Sequence, residues 1–193
     1  SIDTGLAQKK YSGNMYEYFH SNTYDWDSLL VLVDYMGLEE YFTGEKEGYE
    51  TVTFFGPPNH SIRRWMYSFK SYNDMGIVTY KYHSMKEVVD GEGVEKCKKL
   101  ILSHLVKGKY EVEDIPMGTS GDKESGIIFT GAADNTFRVF SFRETFNGVP
   151  ETGAIRLYVR GGLNYSTSID VASTDIEPTN GIVHSLAYGF TLG

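Results

Sequence analysis

Asp175-Ile-Glu-Pro-Thr-Asn-Gly-Ile-Val-His-Ser-Leu186 is the stretch whose reading decides the fold. A short extended piece runs into a turn at Thr179-Asn180-Gly181. The run from Ile182 to Tyr188 that follows is mostly apolar and rich in strand formers. Asn-Gly is the strongest two-residue signal for a type I′ turn, in which both central residues take φ > 0. The run has too few polar residues for a strand with one wet face. It therefore predicts a strand covered on both sides, and a fold that closes at this end of the chain.

A second buried strand is predicted at Thr51-Val-Thr-Phe-Phe55. Gly56-Pro57-Pro58 ends it, because proline cannot donate to a ladder. Asn59 is then placed to cap a helix from His60 to Phe69, with Ile62, Trp65, Met66 and Phe69 on one face. Upstream, residues 1–13 read as a polar lead-in, and 14–20 as a short helix. The spacing of Trp26, Leu29, Leu30, Val33 and Met36 predicts a helix over 25–36, capped by Thr23 or Asp25 and stopped by Gly37. Residues 70–93 read as irregular and aromatic, and 94–106 as a helix that carries His104 on its apolar face.

After Gly108 the period changes to two. Strands are predicted at 110–115, 127–130, 136–142, 154–160 and 163–171. The turns fall at 131–135, Asn147-Gly148 and Gly161-Gly162. Helices in the first half and strands in the second define an α+β class, with residues 14–193 as a single domain.

The totals bound the function. The chain has 193 residues, a net charge of −8 and a pI of about 5.1. That balance argues against a duplex nucleic-acid partner, whose phosphates demand lysine and arginine, and against docking on anionic lipid. Nothing approaches the roughly 18 apolar residues of a membrane span. Cys97 is the single cysteine, so no internal disulfide forms. The first residue is Ser1, which reads as processing or trimming, so that any signal peptide or lipid-anchor cysteine would already be missing. Fifteen tyrosines suit contact surfaces, since the ring is rigid with an apolar face and a polar tip, although most of them read as ordinary core and strand residues.

Three separated pieces together resemble the fasciclin domain, a cell-adhesion module. They are Thr51-Val-Thr-Phe-Phe-Gly-Pro-Pro-Asn-His-Ser-Ile62, Leu102-Ser-His-Leu-Val-Lys-Gly-Lys-Tyr-Glu-Val-Glu-Asp-Ile115, and Asp175-Ile-Glu-Pro-Thr-Asn-Gly-Ile-Val-His184. The resemblance implies a β-wedge or sandwich with helices from the N-terminal half packed along it, and the first and last boxes as neighbouring central strands. It also implies a non-catalytic adhesion module on the outer cell surface or secreted, contacting a protein or polysaccharide, as a monomer or weak oligomer. Ser103 stands where the family carries the tyrosine of a Tyr-His pair, so integrin contact is not carried over. Such departures suit a divergent, bacterial surface member, a lipoprotein among the possibilities.

As motif residues of that family, His104, Asn180, Gly181 and His184 are assigned structural roles, the two histidines being read as core residues bonded to backbone. No HxH or HxxxH pair suggests a metal, no Gly-x-Ser-x-Gly elbow suggests a hydrolase, and no cofactor or catalytic residue is assigned. Asn59-His-Ser61 and Asn164-Tyr-Ser166 match the glycosylation pattern. Tyr72, Tyr80, Tyr82 and His83 form the candidate ligand-binding group, the alternative being that these rings cover the β-wedge. The alternative function is a glycan-handling surface protein, such as a glycoside hydrolase, using these rings and nearby carboxylates.

Overall fold

The computed structural model describes residues 9–119, 121–145, 147–149, 155–161 and 164–187, the side chains of 164–168 excepted. The lead-in up to residue 8, Gly162, Leu163, Ala154 and Tyr188 lie outside these residues.

Among the described residues, six α-helices lie in the first half: α1 Met15–Ser21, α2 Thr23–Met36, α3 Glu40–Thr43, α4 Asn59–Ser68, α5 Met85–Glu92 and α6 Val94–Leu102. Seven strands make one mixed sheet: β1 Val52–Gly56, β4 Leu105–Lys107, β5 Ile127–Thr130, β6 Thr136–Arg143, β7 Ile155–Gly161, β8 Asn164–Ile176 and β9 Gly181–Leu186. Two more, β2 Lys70–Tyr72 and β3 Val78–Tyr80, form a separate hairpin. The α+β class holds.

The large sheet runs in the order β4-β1-β9-β8-β7-β6-β5. β1 and β9 pair in parallel, Val52 opposite Gly181 through Gly56 opposite Ser185. The first and last boxes are thus neighbouring strands, and both are buried on two faces. All other neighbours are antiparallel. The sheet curls until it nearly closes. Phe129 of β5 lies with its ring 5.7 Å from that of Phe55 in β1, although five strand pairings separate them. The Ala132 N–H, in the β5–β6 turn, donates to the Leu105 carbonyl of β4 at 2.9 Å.

This curl divides the apolar side chains into two cores. Helices α1, α2 and α4–α6 pack Met15, Phe19, Trp26, Leu29, Val33, Ile62 and Ile101 onto Val52, Phe54, Leu105 and Val183. Inside the curled sheet, Phe55, Val106, Phe137, Val139, Leu157, Val159 and Leu186 meet, and Val112 and Ile115 join them. Tight packing on both faces of one strand is the arrangement that an uninterrupted apolar run encodes.

The sequence reading of α2 is close. Gly37 takes φ 69 and the Leu38 N–H reaches back to the Val33 carbonyl at 2.9 Å, a left-handed helix stop. Asn22, not Thr23 or Asp25, is the residue preceding the helix, and its side-chain amide donates to Asp25.

Four readings are corrected. Asn59 does not cap α4: Pro58 precedes the helix and its carbonyl accepts from Ser61 and Ile62. The Asn59 amide instead turns to α2. It accepts from the Ser28 N–H at 2.8 Å and donates to the carbonyls of Thr23 and Tyr24. Second, α6 ends at Leu102, where the Ser103 hydroxyl caps the Leu100 carbonyl, and 105–107 become the edge strand of β1. Third, 110–115 is no strand. Asp175 Oδ1 takes the Val112 N–H and Asp114 the Glu111 N–H, local side-chain bonds that draw Val112–Asp114 into a 3₁₀ turn. Fourth, Asn180-Gly181 is not a type I′ turn, since Gly181 (φ 153) has positive φ and Asn180 does not.

Candidate functional site

The β2–β3 hairpin is a segment that the helices and the large sheet leave in solvent. Every residue from Lys70 to Tyr80 is exposed, apart from half-buried Val78. Residues 70–93 are therefore not irregular: a hairpin occupies 70–80 and helix α5 follows at 85–92.

Asn73 builds the turn. Its Oδ1 accepts from the Met75 and Ile77 N–H groups, each at 2.9 Å, while its own N–H bonds the Ile77 carbonyl at 3.0 Å. Gly76 supplies the positive φ, at 77°. An Asx turn of this kind is the chemistry that Asn offers a tight reversal.

Lys70 stands opposite Tyr80, and Tyr72 opposite Val78. Because side chains alternate, these four share one face. The Lys70 ammonium sits 5.7 Å from the Tyr72 ring centre, and Tyr67 of α4 meets Tyr80 edge-on at 5.2 Å. Tyr72 is 62% exposed, Met75 83% and Ile77 57%. A hairpin of this size is marginal in water by itself. Here the Lys81 N–H to the Phe69 carbonyl, 2.8 Å, and the Tyr67–Tyr80 contact root it on α4.

Tyr72 and Tyr80 of the expected group are thus brought together. Tyr82 is not with them: it is buried, its ring against Phe69 and its hydroxyl donating to Glu92 Oε2 at 2.5 Å. It covers the helical core because α5 turns back over it. Gly91 leaves the room, since a Cβ there would fall 2.4 Å from the Tyr82 hydroxyl. His83 is exposed, and its backbone N–H bonds Glu87. Tyr67, Met75 and Ile77 belong to the exposed group and were missed. The signal was present as Asn73-Asp-Met-Gly76, a turn sequence between two strand-forming triplets.

Glu92 is the carboxylate joined to Tyr82. The Tyr82 hydrogen bond and the Lys96 and Lys81 ammonium groups hold it below the usual carboxylate range. A general acid needs the opposite displacement.

The four motif residues lie in the interior or at its rim. Asn180 Oδ1 accepts from the Met15 N–H at 2.8 Å and its Nδ2 donates to the Phe42 carbonyl at 3.0 Å, tying α1 and α3 to the closing turn. Gly181 passes so close to β1 that a Cβ would stand 1.8 Å from the Val52 carbonyl oxygen. His184 is fully buried. Its Nε2 donates to the Tyr110 carbonyl at 2.8 Å and its Nδ1 accepts from the Asp175 N–H at 3.2 Å, which sets a neutral tautomer. His104 lies after α6 rather than on its face, with Nδ1 2.8 Å from the Leu100 carbonyl. Asn59 is buried with its amide fully engaged, so the first glycosylation pattern is closed, and the Asn164 side chain is outside the described ones.

Among the described residues, no group of three or more His, Cys, Asp or Glu side chains could hold a metal ion, and no helix is long and apolar enough to cross a membrane.

Fold and surface together define an α+β module with a nearly closed sheet and an exposed aromatic hairpin. No protein-family model matches the chain, and no curated protein matches it. Among solved structures it is similar to a FAS1 domain pair from the insect cell adhesion molecule fasciclin I, at 14% identity and a TM-score of 0.47, over 99% of this chain. It covers 47% of that chain, so it spans about half the length of the structure it matches.

Proposed function

We propose that the chain is a non-catalytic contact module of the outer cell surface or the extracellular space, with the β2–β3 hairpin as its contact element. One observation carries this reading: Tyr72, Met75 and Ile77 are held in solvent on a hairpin whose turn is built by dedicated hydrogen bonds. Exposed apolar side chains gathered on one rigid element mark interaction surfaces, and tyrosine and methionine are the types favoured there. The Met75–Ile77 tip favours a protein partner. The Tyr72–Tyr80 face, with Lys70 beside it, favours a second reading in which the partner is a polysaccharide.

A single hairpin offers little area, so the module binds weakly alone and gains from display in several copies. The reading is tested by presenting the protein on beads to arrays of surface proteins and of glycans. Wild type should be retained and the pair Tyr72→Ala, Met75→Asp should not. Equal retention of both would remove the hairpin from the account.

A further inference from the structure

A second feature lies one strand beyond the boxes' pairing, between the edge strands β4 and β5, where the curled sheet fails to close. β4 runs antiparallel to β1, while β5 is four antiparallel steps from β9, which is parallel to β1. β4 and β5 therefore face each other as two edges pointing in opposite directions. The register tells which main-chain groups look across. The Phe55 N–H bonds the His104 carbonyl and the Gly108 N–H bonds the Thr51 carbonyl, so Val106 faces β1 and Lys107 turns its main chain outward. The Gly131 N–H bonds the Asn135 carbonyl, so Phe129 faces β6 and Ile128 and Thr130 turn theirs outward. The bond from Ala132 to Leu105 pins the seam at one end only. Among the described residues, the outward groups of Lys107, Ile128 and Thr130 have no backbone partner.

Between the two edges lies a cleft of about 340 Å³, within the range of ligand sites. Its inner wall is Val106, Tyr110 and Phe129, and its outer rim is Tyr49, Lys107 and Ile128. Ile128 is 56% exposed, and no proline or inward charge protects the β5 edge. An apolar floor flanked by unpaired main-chain donors and acceptors on both sides suits an extended polypeptide, whose own main chain can pair with them.

We propose that the β4–β5 seam is a docking groove in which a segment of a partner protein adds as a strand, antiparallel to β5. One of its side chains points inward onto Phe129 and Tyr110 and is apolar. An outward neighbour lies beside the Lys107 ammonium, which is 4.9 Å from the Tyr49 ring centre, and is a carboxylate. Main-chain bonds supply affinity and these two side chains supply selectivity. The groove is separate from the hairpin, so it stands or falls independently of the hairpin reading.

The probe is a phage-displayed library of short random linear peptides, with the enriched sequences then synthesised. The expected winners pair an apolar residue with an Asp or Glu next to it. Their binding slows hydrogen exchange at the Lys107, Ile128 and Thr130 amides by at least about ten-fold. Ile128→Pro removes the outward N–H and leaves the β5–β6 ladder intact, as proline is tolerated at a sheet edge. It should weaken the winners by about ten-fold or more, while Tyr72→Ala leaves them unchanged. Should Ile128→Pro fail to fold, Lys107→Glu replaces it, and enrichment should then switch from acidic to basic peptides. The proposal is overturned if no peptide is enriched, if protection falls on 70–80 and not on the seam, or if neither variant alters binding.

Discussion

Phe54 and Phe55, neighbours in the chain, belong to different cores. Phe54 packs among the helices, with ring centres 5.1 Å from Phe42 and 5.9 Å from Phe19. Phe55 lies inside the curled sheet, 5.5 Å from Phe137 and 5.2 Å from His184. β1 is therefore the shared wall of both cores. Each ring is fully buried, so Phe54→Ala and Phe55→Ala should each cost about 3–5 kcal/mol. Chemical denaturation followed by far-UV circular dichroism should show one transition for both variants. Separate helical and sheet transitions would show that the cores are not joined through β1.

Gly181 is bound to glycine by closeness as well as by backbone angle. Gly181→Ala should be among the most damaging of small substitutions, because its Cβ meets the Val52 carbonyl at 1.8 Å and φ is 153°. The parallel β1–β9 pairing must open to admit it. A melting temperature within a few degrees of wild type would contradict this geometry.

Asn59 holds two helices together. Asn59→Leu leaves the Ser28 N–H and the Tyr24 carbonyl without that side chain's amide, and unmet buried polar groups cost about 1–3 kcal/mol each. The expected loss is about 2–4 kcal/mol in urea denaturation. An Asn59→Ser variant that behaves like wild type would show that the amide bridge contributes nothing.

Acid should weaken the fold through its buried histidines. Burial brings His104 down to about 4 from 6.5, opposed by its bond to Leu100, and burial likewise lowers His184. In both, the folded pKa lies below the unfolded one, so the unfolded chain takes up the proton first. The stability is intact above pH 6.5 and is lost as pH falls through the window to about 4. His104 alone accounts for on the order of 3 kcal/mol across it. The urea midpoint should therefore fall between about pH 7.5 and pH 5, where ordinary carboxylates change little. A constant midpoint would contradict neutral, buried imidazoles.

The parts of this fold that were legible in the sequence are those with a strong period or a fully apolar run. Trp26 to Met36 shows one stripe and a glycine stop, and Val52–Phe55 and Ile182–Leu186 admit no wet face. What was not legible depends on partners far along the chain. Leu105–Lys107 follows an apolar helical stripe without a break, and only the need of β1 for an edge partner turns it to strand. Asn59 has the right residue type and place for a cap, but α2 claims its amide. The hairpin at 70–80 is two triplets without a buried face, so no hydrophobic alternation announces it. For the same reason Tyr82, whose burial depends on Gly91 and Glu92, looked like its exposed neighbours.

The contact role of the hairpin is the central claim, and a binding measurement on matched variants tests it most directly. Tyr72→Ala and Met75→Asp change exposed side chains, so each should melt within a few degrees of wild type. Retention on the partner array, compared for wild type and the two variants at equal folded concentration, should fall by about ten-fold or more in both. Undiminished retention by correctly folded variants would contradict the account and move the contact surface elsewhere on the molecule.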